Sequence, residues 1–204
     1  LTNPLWRRPL AAFRATLADW VHGSAADGPM NLAMFLDAVA VAGDAALLAA
    51  AREQLERIVA DSDAFVARFA AVVDRFDEPA HWWSRLLSRR DEQPLDLKRL
   101  GIFPIVHGVR ALALRQHVHP VGTGARLAAL VARGELDEAL ARDLRDALHL
   151  LMGLRLAHQL GQRRDGRPVD NLLVPSSLGT IERDALPDAL AIVPRWRALL
   201  RQRL

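Results

Sequence analysis

Apolar residues recur along this chain at intervals of three and four, the spacing of one helix face. Leu10, Phe13, Leu17, Trp20 and Val21 form the first such stripe. It predicts a helix following Asn3-Pro4 or Arg8-Pro9, because a proline is tolerated in a first turn. Asp27-Gly28-Pro29 reads as a turn. Helical patterning resumes over Met30–Val41, breaks at Gly43-Asp44 and continues from Asp44 to about Ile58. Ser62 is placed to cap a next helix, whose apolar face is Phe65, Phe69, Val72, Val73 and Phe76. Phe103–Val118 is again helical and stops before Pro120, and Thr123 is expected to cap a short helix reaching Arg133-Gly134. Leu136 to about Leu160 is the longest periodic stretch, with Leu140, Leu144, Leu148, Leu151, Leu154 and Leu156 among its apolar positions. The last segment runs from about Gly179 to Arg203. Pro187 and Pro194 are expected to kink or divide it, since an interior proline costs about 3 kcal/mol.

Residues 77–101 break this pattern. Pro79, Pro94 and Gly101 punctuate them and Trp82-Trp83 sits in their middle. A helical turn around the tryptophans is expected there, then an irregular or extended Leu95-Asp96-Leu97-Lys98. The pattern as a whole predicts an all-α fold, a bundle of roughly seven to nine helices with one irregular segment near 77–101. It reads as a single helical domain over 1–204.

Composition agrees with a helical core. Hydrophobic residues make up 51% of the chain, much of it Ala and Leu, while aromatics are 5% and Tyr is absent, which argues against β-rich architectures. The lack of Cys excludes disulfides, thiolate metal sites and cysteine nucleophiles. No apolar run approaches the roughly 18 residues of a membrane span, and no signal-peptide pattern opens the chain, so a cytoplasmic location is expected. The chain begins Leu1-Thr2-Asn3-Pro4 without Met and is expected to be the C-terminal fragment of a longer multidomain protein.

The pI near 10.7 suggests a nucleic-acid partner until the net charge is read, which is only +3. The high pI arises because the bases are nearly all Arg. Residues 1–95 carry 10 basic and 13 acidic groups, and residues 96–204 carry 17 and 11. A mildly positive second half suits an anionic ligand, and equally an ordinary solvated surface. Nucleic acid is disfavoured, because no interleaving of basic and aromatic residues is present.

Several polar residues stand where their neighbours are apolar. Arg155, His158 and Gln159 lie at i, i+3 and i+4 and so share one face of the long helix. Buried there they need partners, supplied either by an internal hydrogen-bond network or by a ligand. Asp96 and Lys98 fall on the same side of an extended segment, and Lys98 is the only lysine against 26 arginines. Arg110 follows Val109 and precedes Leu112 and Ala113, an inward position that a salt bridge to Asp96 or Asp37 would satisfy. Asp37 follows Met34-Phe35-Leu36 and also needs a partner. His107, His117 and His119 lack the further ligands that zinc requires, so no metal site is expected. No nucleophile elbow, phosphate loop or dinucleotide fingerprint occurs.

These residues carry a family resemblance. Asn3-Pro4-Leu5-Trp6-Arg7, Phe35-Leu36-Asp37, Leu95-Asp96-Leu97-Lys98, Pro104-Ile105-Val106 with Gly108 and Arg110, Arg126-Leu127, Leu154-Arg155-Leu156 with His158-Gln159-Leu160, Asp170-Asn171 and Glu182-Arg183 appear in order. Together they resemble the C-terminal substrate-binding domain of bacterial nucleotidyltransferases related to the PII-uridylylating enzyme. In such proteins CBS modules, and sometimes a cyclic-nucleotide-binding domain, often lie further upstream. The resemblance implies a non-catalytic substrate-binding or regulatory domain in a signalling protein, acting beside a nucleotidyltransferase domain in the same polypeptide. Magnesium and a nucleoside triphosphate would belong to that catalytic domain, with no cofactor in this chain. Gly23-Ser24 is followed closely only by Asp27 and the isolated Asp37, without the paired acids that hold Mg²⁺ in a catalytic half.

On this reading Asp37, Asp96, Lys98, Arg110, Arg155, His158, Gln159 and Asn171 are the candidate ligand contacts. The candidate ligands are a nucleotide or an acidic small molecule, and a homodimer is a further candidate assembly. The alternative is a helical interaction or dimerisation module without a pocket, in which the same residues satisfy one another. The chain departs from the family at Val39, where an Arg is usual, and at Pro187 and Pro194.

Overall fold

A computed structural model describes residues 3–23, 27–60, 62–76 and 93–204. Helix α1 (Leu10–His22) starts directly after Pro9 and buries Leu17, Trp20 and Val21 of the stripe read from the sequence, with Leu10 and Phe13 partly buried against the same core. It is followed by α2 (Gly28–Phe35), α3 (Ala45–Ala60) and α4 (Asp63–Ala70), which tightens into a 3₁₀ turn over Ala71–Phe76. The expected turn around Trp82-Trp83 lies outside the described residues. Beyond it come a two-residue strand β1 (Leu95–Asp96), a π-helical turn (Lys98–Ile102) and α5 (Phe103–Arg115). The chain closes with α6 (Thr123–Ala132), α7 (Glu138–Arg164), β2 (Leu172–Leu173), a 3₁₀ turn over Pro175–Ser177 and α8 (Thr180–Arg203). The eight α-helices among the described residues make an all-α bundle. Its one small sheet pairs β1 with β2 antiparallel, Leu95 opposite Leu173 and Asp96 opposite Leu172. None of the described helices is long and apolar enough to cross a membrane.

Two apolar cores meet at α5. Its Ile105, Val109 and Leu112 join the larger core, built with α6, α7 and α8. Its Ala111 joins the smaller one, which α1 to α4 supply. Where α5 crosses α8 the contact is close. A Cβ on Gly108 would stand 2.4 Å from Trp196 Nε1, so only glycine lets the indole lie on the α5 backbone and donate to Pro104 O at 3.2 Å.

Four local expectations change. The helix read over Met30–Val41 ends at Phe35, because Arg126 Nη2 takes Leu36 O at 2.8 Å and Arg52 takes Ala38 O. These arginines supply donors that an α-helix end leaves its carbonyls without. Gly122, not Thr123, precedes α6, with φ +89° in the left-handed region that favours glycine. Pro187 and Pro194 sit inside an undivided α8. Burial of Leu186, Leu190, Val193, Trp196 and Leu200 offsets the hydrogen bonds the prolines remove. Finally, Leu156 and Leu160 are 57% and 46% exposed: α7 outlasts the core it packs on.

At the start of α7, Asp137 Oδ1 accepts Leu140 N–H at 3.0 Å. Replacing it with alanine is expected to lower stability by about 1 kcal/mol, read as a shift in the chemical-denaturation midpoint at unchanged slope.

Candidate functional site

Two clusters gather the polar residues singled out by the sequence, and they differ in kind. On the last turns of α7, Arg155 Nε donates to Asn171 Oδ1 at 2.6 Å. Gln159 Nε2 donates to Asp170 O at 3.0 Å and to Asn171 Oδ1 at 3.3 Å. His158 Nε2 stands 3.5 Å from Asp170 Oδ1, too far for a strong hydrogen bond. Gln162, one turn beyond His158, makes a reciprocal pair with Asp170: Nε2 to Oδ1 at 3.0 Å, and Asp170 N–H to Oε1 at 3.1 Å. Leu172 N–H also donates to Asp170 Oδ1, and this bond, with that from Gln162 and the nearby His158 imidazole, holds the carboxyl below its ordinary pKa. The cluster fastens the return loop onto the end of α7. Gln162 was missed, although its place seven residues after Arg155 puts it on the same face.

That loop leads into β2, and the β1–β2 pair brings Asp96 beside the same end of the bundle. Asp96 is an element cap, its Oδ1 accepting Arg99 N–H at 3.0 Å. Lys98 does not share an extended segment with it, because the strand ends at Asp96 and Lys98 opens the π-helical turn. Its side chain is exposed.

The second cluster surrounds Asp37, in the non-helical link between α2 and α3. Arg110 of α5 pairs with Asp37 Oδ2, and Arg126 Nη1 of α6 with Oδ1 at 2.6 Å. Burial pushes the Asp37 carboxyl up, but its hydrogen bonds to Arg110 and Arg126 and their charges outweigh this, so its pKa is lowered. Burial likewise lowers Arg126, against the bond and charge of Asp37. The sequence asks for a partner to Asp37 and offers Asp96 or Asp37 as a salt-bridge partner of Arg110; the fold pairs Arg110 with Asp37. Arg126 was quoted only for the resemblance and Arg52 was missed. Neither carries a local signal, since what buries them comes from helices distant in sequence.

Beside this knot lies a cleft of about 50 Å³ between α3 and the α5–α6 pair. Arg52, Arg110, Arg126, Glu56, His117 and His119 supply its polar lining, and Leu55, Val59 and Val118 are among its apolar walls. His119 Nδ1 lies 3.0 Å from Glu56 Oε1 across its mouth, and His117 holds a left-handed φ of +49°. Val39 is 56% exposed and is not part of the lining. A larger groove of about 490 Å³ lies among Trp6, Phe13, Met34, Phe35 and Leu47. It is apolar, and Arg8, its one cation among the described residues, is engaged with Pro4 O and Thr16 Oγ1.

A family model described as "putative nucleotidyltransferase substrate binding domain" matches residues 63–204, more than two thirds of the chain. The chain belongs to this family. No curated protein and no solved structure matched it. The matched part of the substrate-binding domain contains Arg110 and Arg126, one wall of the cleft, and the whole α7 cluster. Asp37, in the link after α2, and Arg52 and Glu56 of α3 lie outside the match. As a member, the chain is a domain that accompanies a nucleotidyltransferase.

Proposed function

We propose that this chain is a non-catalytic, cytoplasmic substrate-binding domain that holds an acidic small molecule, or the anionic part of a nucleotide, for a nucleotidyltransferase domain of the same polypeptide in a bacterial signalling protein. The observation that carries this reading is the cleft at Arg52, Arg110 and Arg126. Three guanidiniums there offer planar donor forks suited to carboxylate or phosphate. Their action is positional: they neutralise and orient the ligand, and chemistry is left to the partner domain with its Mg²⁺ and triphosphate. Lys98, Arg155, His158, Gln159 and Asn171 move out of the ligand set in this reading, since Arg155, Gln159 and Asn171 are mutually bonded and Lys98 lies on the exposed side of the π-helical turn.

Calorimetric titration of the 204-residue chain with nucleotides and small acidic metabolites tests the proposal. Arg110→Ala is expected to weaken whatever binds by about 10-fold or more, as loss of a charge-assisted pair implies. Arg155→Ala is expected to leave the affinity unchanged. Binding that survives Arg110→Ala and is lost in Arg155→Ala overturns the assignment.

The apolar groove favours a second reading, a helical module that docks another protein or a second copy, because Met34 and Leu47 are more than half exposed beside it. Concentration-dependent association that Leu47→Asp abolishes is the mark of that reading.

A further inference from the structure

We infer that Asp37 occupies the place of the ligand's anionic head, and that the cleft takes a compact, phosphate-class dianion in exchange for the Asp37 carboxylate. This rests on the proposed binding role and names the chemistry of the group bound. Size comes first. A water needs roughly 10–15 Å³ of such space, so about 50 Å³ admits a few waters or one tetrahedral oxyanion. Drug-sized ligands fill roughly 300–1,000 Å³. Among the described residues no Phe or Trp lines the cleft, so none of them offers a nucleobase a broad ring to stack on. Only a head group enters.

Charge selects that head. Among the described residues the cleft sets three guanidiniums against one carboxylate, Glu56, and Asp37, beside it, pairs with two of them, Arg110 and Arg126. With Asp37 withdrawn they face Glu56 alone, and the excess of two positive charges matches a phosphate dianion rather than a monocarboxylate. The two partners of Asp37 are held in place, with side chains 11% exposed for Arg110 and 4% for Arg126. Asp37 is the movable member: its side chain is 39% exposed, and it sits in the non-helical link at 36–44. A tetrahedral dianion offers the Arg110 and Arg126 forks more acceptor oxygens than one carboxylate does. The link is also tied through Leu36 O to Arg126 and through Ala38 O to Arg52, so an anion on these arginines loosens the attachment of the link to α6 and α3. Binding at the family's wall is thereby coupled to the helices that lie outside the family match.

The test titrates inorganic phosphate onto the full chain, with acetate and with chloride at matched ionic strength as the other arms. Wild type is compared with Asp37→Asn and with Glu56→Gln, an isosteric change at a half-buried rim position. Phosphate is expected to bind Asp37→Asn at least tenfold tighter than wild type and to raise its Tm more. For Glu56→Gln about threefold tighter binding is expected. Phosphate affinity unchanged or weakened in Glu56→Gln overturns the inference even where Asp37→Asn does not fold. So does acetate or chloride matching phosphate. An organic acid that binds wild type through Arg110 without being displaced by phosphate also overturns it, while leaving the binding role itself intact.

Discussion

Replacing Trp196 with alanine is expected to lower the unfolding free energy by about 3–5 kcal/mol, the range for a fully buried aromatic truncated to a methyl. Trp196 is 0% exposed, so its whole ring leaves a cavity at the crossing of α5 and α8. Its N–H also leaves Pro104 O without that donor. The reciprocal change tests the same contact from the other side. Gly108→Ala gains up to about 1 kcal/mol of helix propensity, yet its Cβ would lie 2.4 Å from Trp196 Nε1 and 2.6 Å from Leu200 Cδ1. Leu200 can turn its methyl away, whereas the indole is wedged against the helix. Overpacking of about 1–3 kcal/mol is expected to win. Urea denaturation of the two single variants and the double variant measures both, and the double should cost less than the sum because removing the indole makes room for the methyl. A loss below about 1 kcal/mol for Trp196→Ala would show that this crossing does not anchor α8.

Acidification is expected to remove about 3 kcal/mol of stability through His107 alone. The ring is fully buried, stacked on Phe103 at 5.1 Å and packed on Phe69. Its Nε2 lies 2.7 Å from Phe69 O, so this nitrogen carries the proton and donates, while Nδ1 is buried without a partner among the described residues. Protonating Nδ1 places an unsatisfied charge inside the protein near Arg110. Burial therefore lowers the His107 pKa from 6.5 to about 4, with the Phe69 carbonyl opposing and Arg110 adding to the shift. A folded pKa below the unfolded one gives stability that is complete above pH 6.5 and is lost as pH falls toward 4. At about 1.4 kcal/mol per unit, the loss across that window is about 3 kcal/mol. Asp37, whose pKa is also lowered, contributes its own loss only below its ordinary value of 3.8, so the two effects separate on the pH axis. His107→Leu is expected to be less stable at neutral pH, lacking the bond to Phe69 O, and flatter between pH 6.5 and 4. Equal slopes for wild type and variant in denaturation series would sink this account.

The candidate site was legible in unequal measure. Arg155, His158 and Gln159 were found because α7 is regular and its period puts them on one face, and the same period reaches Gln162. Spacing left an internal network and a ligand pocket as alternatives for that face: the loop bonded to it comes from residues 165–171, and its path is set by the fold. Asp37 and Arg110 were each recognised as polar groups in apolar company, a sign that partners exist. Arg126 and Arg52 completed the cluster from two other helices. The distances that make a cleft are set between α3, α5 and α6, where no periodicity runs.

Sequence alone determined the helical class, the stripes that build both cores, the absence of cysteine chemistry and, by resemblance, the family. Each of these depends on residues near one another in the chain or on composition, and such information survives without coordinates. Tertiary structure decided where α2 ends, that α8 continues through two prolines, and that Gly108 must be glycine. It also decided that three arginines line one cleft. Those outcomes are set by groups tens of residues apart meeting at ångström distances, where burial and pairing energies outweigh local preference.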